Sequence, residues 1–217
     1  MRDRNGRSGG APRNARSSRD ARVPVPTVLR PALLLDRDGV INVEVNYLHR
    51  PDDVVLVPGV ARAIAMANEF NIPVIVITNQ AGIARGKYGE ADLAAVGSRI
   101  DELIAPAVID ATYFCPHHPD GTVPELRIEC ECRKPQPGML QQAALEHGLD
   151  LARSIFVGDK DSDLGAARAA GCGAVLVRTG YGADVERTLG AEHPLFDHVF
   201  DSLIDAMPYV LMRLRQV

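Results

Sequence analysis

The chain has 217 residues, 46% hydrophobic and 24% charged, a balance that excludes a fibrous or low-complexity protein and suffices for one substantial buried core. Its net charge of −4 is uneven: residues 1–30 hold eight arginines against two aspartates, giving +6 and leaving −10 for the rest. An acidic body argues against nucleic acid as a partner, and no apolar run reaches membrane-spanning length, so a cytoplasmic protein that engages neither is expected.

Residues 1–28, rich in Arg, Ser, Gly and Pro, read as a disordered tail, and residues 29–217 as the working domain. The first strand is Leu33-Leu-Leu35, apolar throughout as in a strand buried on both faces of a parallel sheet. It runs straight into Asp36, Arg37, Asp38 and Gly39. Carboxylates two positions apart on extended backbone share a side. At the carboxyl end of a buried strand they repel each other unless a cation sits with them. A plain Asp-rich turn is the bland alternative.

A polar loop, Val43 to Pro58, follows and holds Glu44, Asn46, Tyr47 and His49. Helical spacing runs from Pro58-Gly59 to Phe70. Pro73 to Thr78 is a second, β-branched strand that ends in Thr78, Asn79 and Gln80. A loop at Ala81 to Gly86 precedes a helix over about Glu90–Ile104, and Asp110–Phe114 reads as a third strand. After the loop Cys115–Arg133 come a helix from Pro137 to His147 and a strand Ser154–Gly158. That strand ends in Asp159, Lys160, Asp161 and Asp163. A short Ala-rich helix, a strand Ala174–Val177 and a helical end over Phe200–Leu214 complete the pattern; Pro208 either kinks that end or starts a helix. The alternation predicts an α/β protein, a parallel sheet between two helix layers, with Asp36, Asp38, Thr78 and Asp159 at one sheet edge.

Asp36 and Asp159 are suited to share a Mg²⁺, with Asp38 offering its backbone carbonyl. Thr78 adds a hydroxyl, Lys134 a compact positive charge, and the Asn79 amide a donor for an anion. Such a set suits phosphoryl transfer, in which positioning and charge stabilisation dominate. Cys115, His117, His118, Cys130 and Cys132 give three thiols and two candidate imidazoles on one loop. Three Cys and one His make a closed tetrahedral zinc set; free thiols or a disulfide are the alternatives.

The segments DRDGVIN, VIVITNQAGIARG, CRKP and VGDKDSD resemble, in order and spacing, the signature motifs of the haloacid dehalogenase (HAD) superfamily of phosphatases. The likeness extends to its heptose-bisphosphate and histidinol-phosphate phosphatases. It implies a three-layer Rossmann-like HAD fold with minimal cap and a zinc loop over 115–132. It implies Asp36 as nucleophile, Asp38 as general acid and base, and Thr78 and Lys134 as stabilisers of the transferring phosphoryl. It further implies Asp36, Asp38 and Asp159 as Mg²⁺ ligands and Cys115, His117, Cys130 and Cys132 as ligands of a structural Zn²⁺. Glu44, Asn46, Tyr47, Asn79, Gln80, Arg133 and Lys160 are the expected substrate contacts, and Asp163 is expected to support its loop. The implied substrate is a small phosphorylated sugar, hydrolysed by a monomer. Glu44-Val-Asn-Tyr47 and Ala81 depart from common forms in substrate-contacting stretches, so histidinol phosphate stays an alternative. A zinc-stapled module without turnover is the reading from another class; the intact acids and Lys134 argue against it.

Overall fold

The computed structural model describes residues 28–190 and 192–216. The expected disordered tail therefore lies, but for Val28, outside the described residues. Six strands form one sheet: β1 (Leu33–Leu35), β2 (Val74–Asn79), β3 (Ala111–Cys115), β4 (Ile155–Gly158), β5 (Gly173–Val177) and β6 (His198–Phe200). Their order is β3-β2-β1-β4-β5-β6, and every pairing is parallel. The helices are α1 (Val60–Glu69), α2 (Ala81–Ala84), α3 (Glu90–Ile104), α4 (Gly138–His147), α5 (Asp161–Ala170), α6 (Gly182–Leu189) and α7 (Leu203–Leu214).

The period-two geometry of the strands sorts the core into two layers. Leu33 and Leu35, with Val74, Val76, Ile155 and Val157, meet α1, α3 and α7 on one face. Leu34, with Ile75, Ile77 and Phe156, meets α4 and α5 on the other. The central strands are therefore apolar on both sides, as their continuous runs predict. The α/β/α layering is as expected, and strand limits move by about a residue.

Four features differ from the expectation. Residues 81–84, read as loop, form one helical turn, because Gln80 leaves the strand and its carbonyl accepts the Ile83 N–H. Helix α6 and strand β6 were not expected. The terminal helix begins at Leu203 after Ser202, and Pro208 lies inside it. No described helix is long and apolar enough to cross a membrane.

The strand order reverses between β1 and β4, which opens the crevice where such sheets bind ligands. Asp36 leaves β1 and Asp159 leaves β4 at that crevice. Among the described residues no cap domain is inserted; the loops after β1 and β3 flank the edge instead.

Candidate active site

Asp36, Asp159 and Asp163 are all buried, and their carboxylate oxygens lie within 4.8 Å of one another. Three acids so placed repel strongly. Burial, then the Asp163 charge, raises the Asp36 carboxyl to about 6, although Lys134 pulls it down. Burial, then Asp36 and Asp163, raises Asp159 to about 8. Asp159 Oδ2 accepts the Tyr181 N–H at 2.9 Å, but its Oδ1 is buried with no hydrogen-bond partner. A buried orphan oxygen in a nest of carboxylates is what a hard divalent cation satisfies. The donor set fits Mg²⁺, with Asp36 and Asp159 as carboxylate ligands. The Asp38 carboxylate is not part of this nest, which leaves its carbonyl as the group Asp38 can offer.

The backbone is close-packed here. A Cβ on Gly39, whose φ is +94°, would stand 2.2 Å from Asp159 Oδ2, and one on Gly180, with φ +58°, would stand 2.1 Å from the same atom. Only glycine fits either position. Gly180 was not anticipated, since nothing in its local sequence marks its approach to Asp159.

Lys134 is buried with its Nζ 2.8 Å from Asp36 Oδ1 and 2.7 Å from Asp163 Oδ1, and it donates to the Ile77 carbonyl at 2.7 Å. Burial works against its charge, but Asp163 and Asp36 outweigh it and raise its pKa. Asp163 Oδ2 accepts the N–H groups of Asp159 (3.2 Å) and Lys160 (3.0 Å), so Asp163 supports the loop and also steadies Lys134. Thr78 is buried at the end of β2, its hydroxyl receiving the Gln80 amide at 2.9 Å.

Asp38 is held differently. Arg37, itself buried, reaches both its oxygens, and Asn42 and Gln80 add one donor each. Burial pushes the Asp38 carboxyl up, but Arg37 and the hydrogen bonds from Asn42 and Gln80 bring it below the usual range.

A cavity of about 300 Å³ opens beside Asp38. Glu44, Asn46, Tyr47, Asn79, Gln80, Arg133 and Lys160 all line it, as does Ala81. Two of these residues also make contacts within the protein. The Asn79 side-chain amide donates one N–H to the Lys134 carbonyl and accepts the Lys134 N–H. Lys160 is paired with Glu44 Oε2 at 2.9 Å. Glu44 Oε1 accepts the Asn46 N–H at 2.8 Å and so braces Asn46 and Tyr47, whose φ values of 53° and 66° are left-handed.

The cavity also gathers Arg85, Tyr88, Ser162 and Tyr181, which sequence reasoning missed, and His118, which it offered only as the alternative zinc ligand. Arg85 donates to the Tyr47 hydroxyl, and its Nη2 stands 3.2 Å from His118 Nε2. The one hint was Arg85 within the Gly-flanked run after β2. Burial, then the nearby Arg133 and Arg85, lowers the His118 pKa.

His118 thus faces the cavity, and His117 joins the thiols. Cys115, at the end of β3, has its Sγ 3.5 Å from that of Cys130 and 3.3 Å from that of Cys132. Cys130 and Cys132 are 3.2 Å apart, and His117 Nδ1 is 3.3 Å from Cys132 Sγ. No disulfide joins them. Three thiols and one imidazole converging on a point fit a closed tetrahedral zinc site.

The comparisons agree with this chemistry. A HAD-hydrolase-like family model matches residues 131–206. A D-glycero-beta-D-manno-heptose-1,7-bisphosphate 7-phosphatase of Yersinia pestis is 44% identical over 178 residues, 81% of this chain and 92% of its own. A D-glycero-D-manno-heptose-1,7-bisphosphate 7-phosphatase of Thermosynechococcus vestitus is 41% identical over 191 residues, 85% of this chain and 97% of its own. The crystal structure of the D,D-heptose 1,7-bisphosphate phosphatase of B. bronchiseptica, complexed with magnesium and phosphate, superposes with a TM-score of 0.75 at 36% identity, covering 84% of this chain and 98% of that one. The chain belongs to the HAD-like phosphatase family that includes these heptose-bisphosphate phosphatases.

Proposed function

We propose that this chain removes the C7 phosphate of D-glycero-D-manno-heptose 1,7-bisphosphate through an aspartyl-phosphate on Asp36. One observation carries the substrate reading: besides Lys134, which meets Asp36 at 2.8 Å, a second set of anion-receptive groups, Arg85, His118 and Arg133, lines the cavity beside Asp38. A substrate with a phosphate at each end matches that arrangement.

Asp36 attacks phosphorus while the bond to the leaving alkoxide breaks, and Asp38 gives that oxygen a proton. Asp38 then takes a proton from water, which attacks the aspartyl-phosphate and frees inorganic phosphate. Lys134 and the Thr78 hydroxyl offset the charge on the transferring group. Asp36, Asp159 and the Asp38 carbonyl would hold a Mg²⁺, which when bound would offset negative charge at the site. The cysteines, none of them in a disulfide, suit a reducing cytoplasm.

Histidinol phosphate would need a free acid for its cationic end. Glu44 is the nearest candidate, but it is spent on Lys160 and the Asn46 N–H. The test is phosphate release with Mg²⁺ from both substrates, Asp36→Asn serving as blank. A large kcat/KM preference for the heptose bisphosphate is expected. Arg133→Ala and Arg85→Ala should each raise its KM on the order of tenfold. Preference for histidinol phosphate would overturn the reading.

A further inference from the structure

Asp38 has more hydrogen bonds than a working proton donor can keep. Oδ1 accepts Arg37 Nε (3.2 Å), Arg37 Nη2 (3.0 Å) and Asn42 Nδ2 (2.9 Å). Oδ2 accepts Arg37 Nη2 (2.8 Å) and Gln80 Nε2 (3.0 Å). A carboxylate offers about four lone-pair sites, so the set is saturated. Neither oxygen is free to carry a proton to a leaving alkoxide until a contact opens.

The contacts differ in how readily they open. Arg37 is buried and bidentate, a charged donor that reaches both oxygens. Gln80 is different: it lines the cavity, as Asn42 does not, and it gives Oδ2 a single neutral N–H while its other N–H goes to the Thr78 hydroxyl at 2.9 Å. Releasing Asp38 costs that one neutral hydrogen bond and leaves the amide held by Thr78. The orientation of the amide is fixed as well, since its Oε1 accepts Tyr88 Oη at 2.5 Å and Arg37 Nη2 at 3.2 Å. Both of those groups are donors, which sets the oxygen towards them and the NH₂ towards Asp38 and Thr78.

We propose that Arg37 is a positioning residue for the reaction: it is the fixed arm of a clamp on Asp38, and Gln80 is the contact that opens. Oδ2 is then the oxygen that exchanges the proton. Gln80 lets go of Oδ2 and keeps Thr78; the freed Oδ2 takes up a proton from solvent and passes it to the leaving oxygen as its bond to phosphorus breaks, and the resulting carboxylate is regripped until it takes a proton from the attacking water and returns it to solvent. Thr78 borders the phosphoryl site, so the clamp and that site share one amide. The inference rests on the reading of Asp38 as the proton-handling acid and base.

The test compares leaving groups in Arg37→Lys and Arg37→Met. Heptose 1,7-bisphosphate expels an alkoxide, which needs a proton; 4-nitrophenyl phosphate expels a phenolate, which does not. First-turnover rates are measured for both, with thermal melting to verify folding. For the alkoxide, the Arg37→Met rate should fall on the order of 10- to 100-fold with little change in KM, and Arg37→Lys should recover part of it. For nitrophenolate the fall should be about threefold or less. Equal losses on the two substrates would mean that Arg37 only supports the fold, and would overturn the proposal. Where Arg37→Met does not fold, Arg37→Lys alone is read by the same ratio. Asp38→Asn is the companion. If it shows the leaving-group bias and Arg37→Lys does not, the clamp is wrong and the role of Asp38 stands. If Asp38→Asn shows none, the reading of Asp38 fails and the clamp fails with it.

Discussion

Asn79 grips the backbone of Lys134 at two points: its Nδ2 donates to the Lys134 carbonyl, and its Oδ1 accepts the Lys134 N–H, both at 3.1 Å. The two residues are 55 positions apart, so one side chain ties the end of β2 to the loop that delivers the buried ammonium. Lys134 must meet Asp36 and Asp163 at ion-pair distance, and nothing else from β2 holds its backbone so closely. Asn79→Ala should therefore lower kcat on the order of 10- to 100-fold by letting the ammonium drift. Asn79→Asp keeps the acceptor, loses the donor and should fall between. Steady-state kinetics beside a melting curve checks this; an Asn79→Ala enzyme with wild-type kcat would show that Lys134 is held by its ion pairs alone.

The same loop is fixed from its other end by Cys132, next to Arg133 and Lys134. Loss of zinc should free both cations, raising KM through Arg133 and lowering kcat through Lys134. Cys130→Ser should bind less zinc and lose about 10- to 100-fold in kcat/KM, the range typical of support around a site. Metal content by elemental analysis and kcat/KM are read on the same preparation. Full activity in a verified zinc-free variant would falsify the positioning role.

Much of this site was legible because parallel strands buried on both faces read as unbroken apolar runs, and their polar ends then mark one edge. Leu33–Leu35 into Asp36 and Ile155–Gly158 into Asp159 are of this kind. Less was legible where the chain folds back on itself. Arg37 and Asp38, as neighbours on extended backbone, should point apart; the turn at Gly39, where the Gly39 N–H bonds the Asn42 carbonyl, brings Arg37, Asp38 and Asn42 together instead. Arg85 and His118 meet across two loops with no shared periodicity. Helix α6 is short and mostly exposed, and β6 has three residues at a sheet edge, so neither carries the apolar run that announces a strand or helix.

The acid nest gives metal binding a pH dependence. Asp159 is raised from 3.8 to about 8, so in the metal-free protein it holds a proton at neutral pH. A folded-state pKa above the unfolded one contributes stability that is full below the unfolded value and lost as pH rises through the folded value. Metal-free protein should accordingly lose stability between about pH 4 and 8, and Mg²⁺ should restore it. Binding must also expel the proton, so between pH 6, above which Asp36 is ionised, and pH 8 the Mg²⁺ affinity should rise about tenfold per pH unit and then level off. Calorimetric titration at several pH values in buffers of different ionisation heat reads both the affinity and the proton released. An affinity constant across pH 6 to 8 would mean that the nest is already ionised without metal.

The opposite sign applies at Asp197, just before β6. Its Oδ1 takes Arg168 of α5 at 2.8 Å, and its Oδ2 takes the Ala174 N–H of β5 at 2.9 Å. Burial raises this carboxyl, but the Arg168 hydrogen bond and then the Ala174 N–H outweigh it and hold it below its usual 3.8. A depressed folded-state pKa contributes stability that is present above the unfolded value and lost as pH falls through the folded one. Asp197→Asn keeps an oxygen for Ala174 and removes the charge from Arg168. Because the pair is partly exposed and screened, the cost at neutral pH should be at most about 1 kcal/mol. Denaturant titration of both proteins at pH 7 and again below the carboxylate range reads the difference. It should be present at pH 7, shrink with added salt, and vanish in acid once wild-type Asp197 is itself protonated. A gap that persists in acid would assign the loss to packing of the amide rather than to the charge on Arg168.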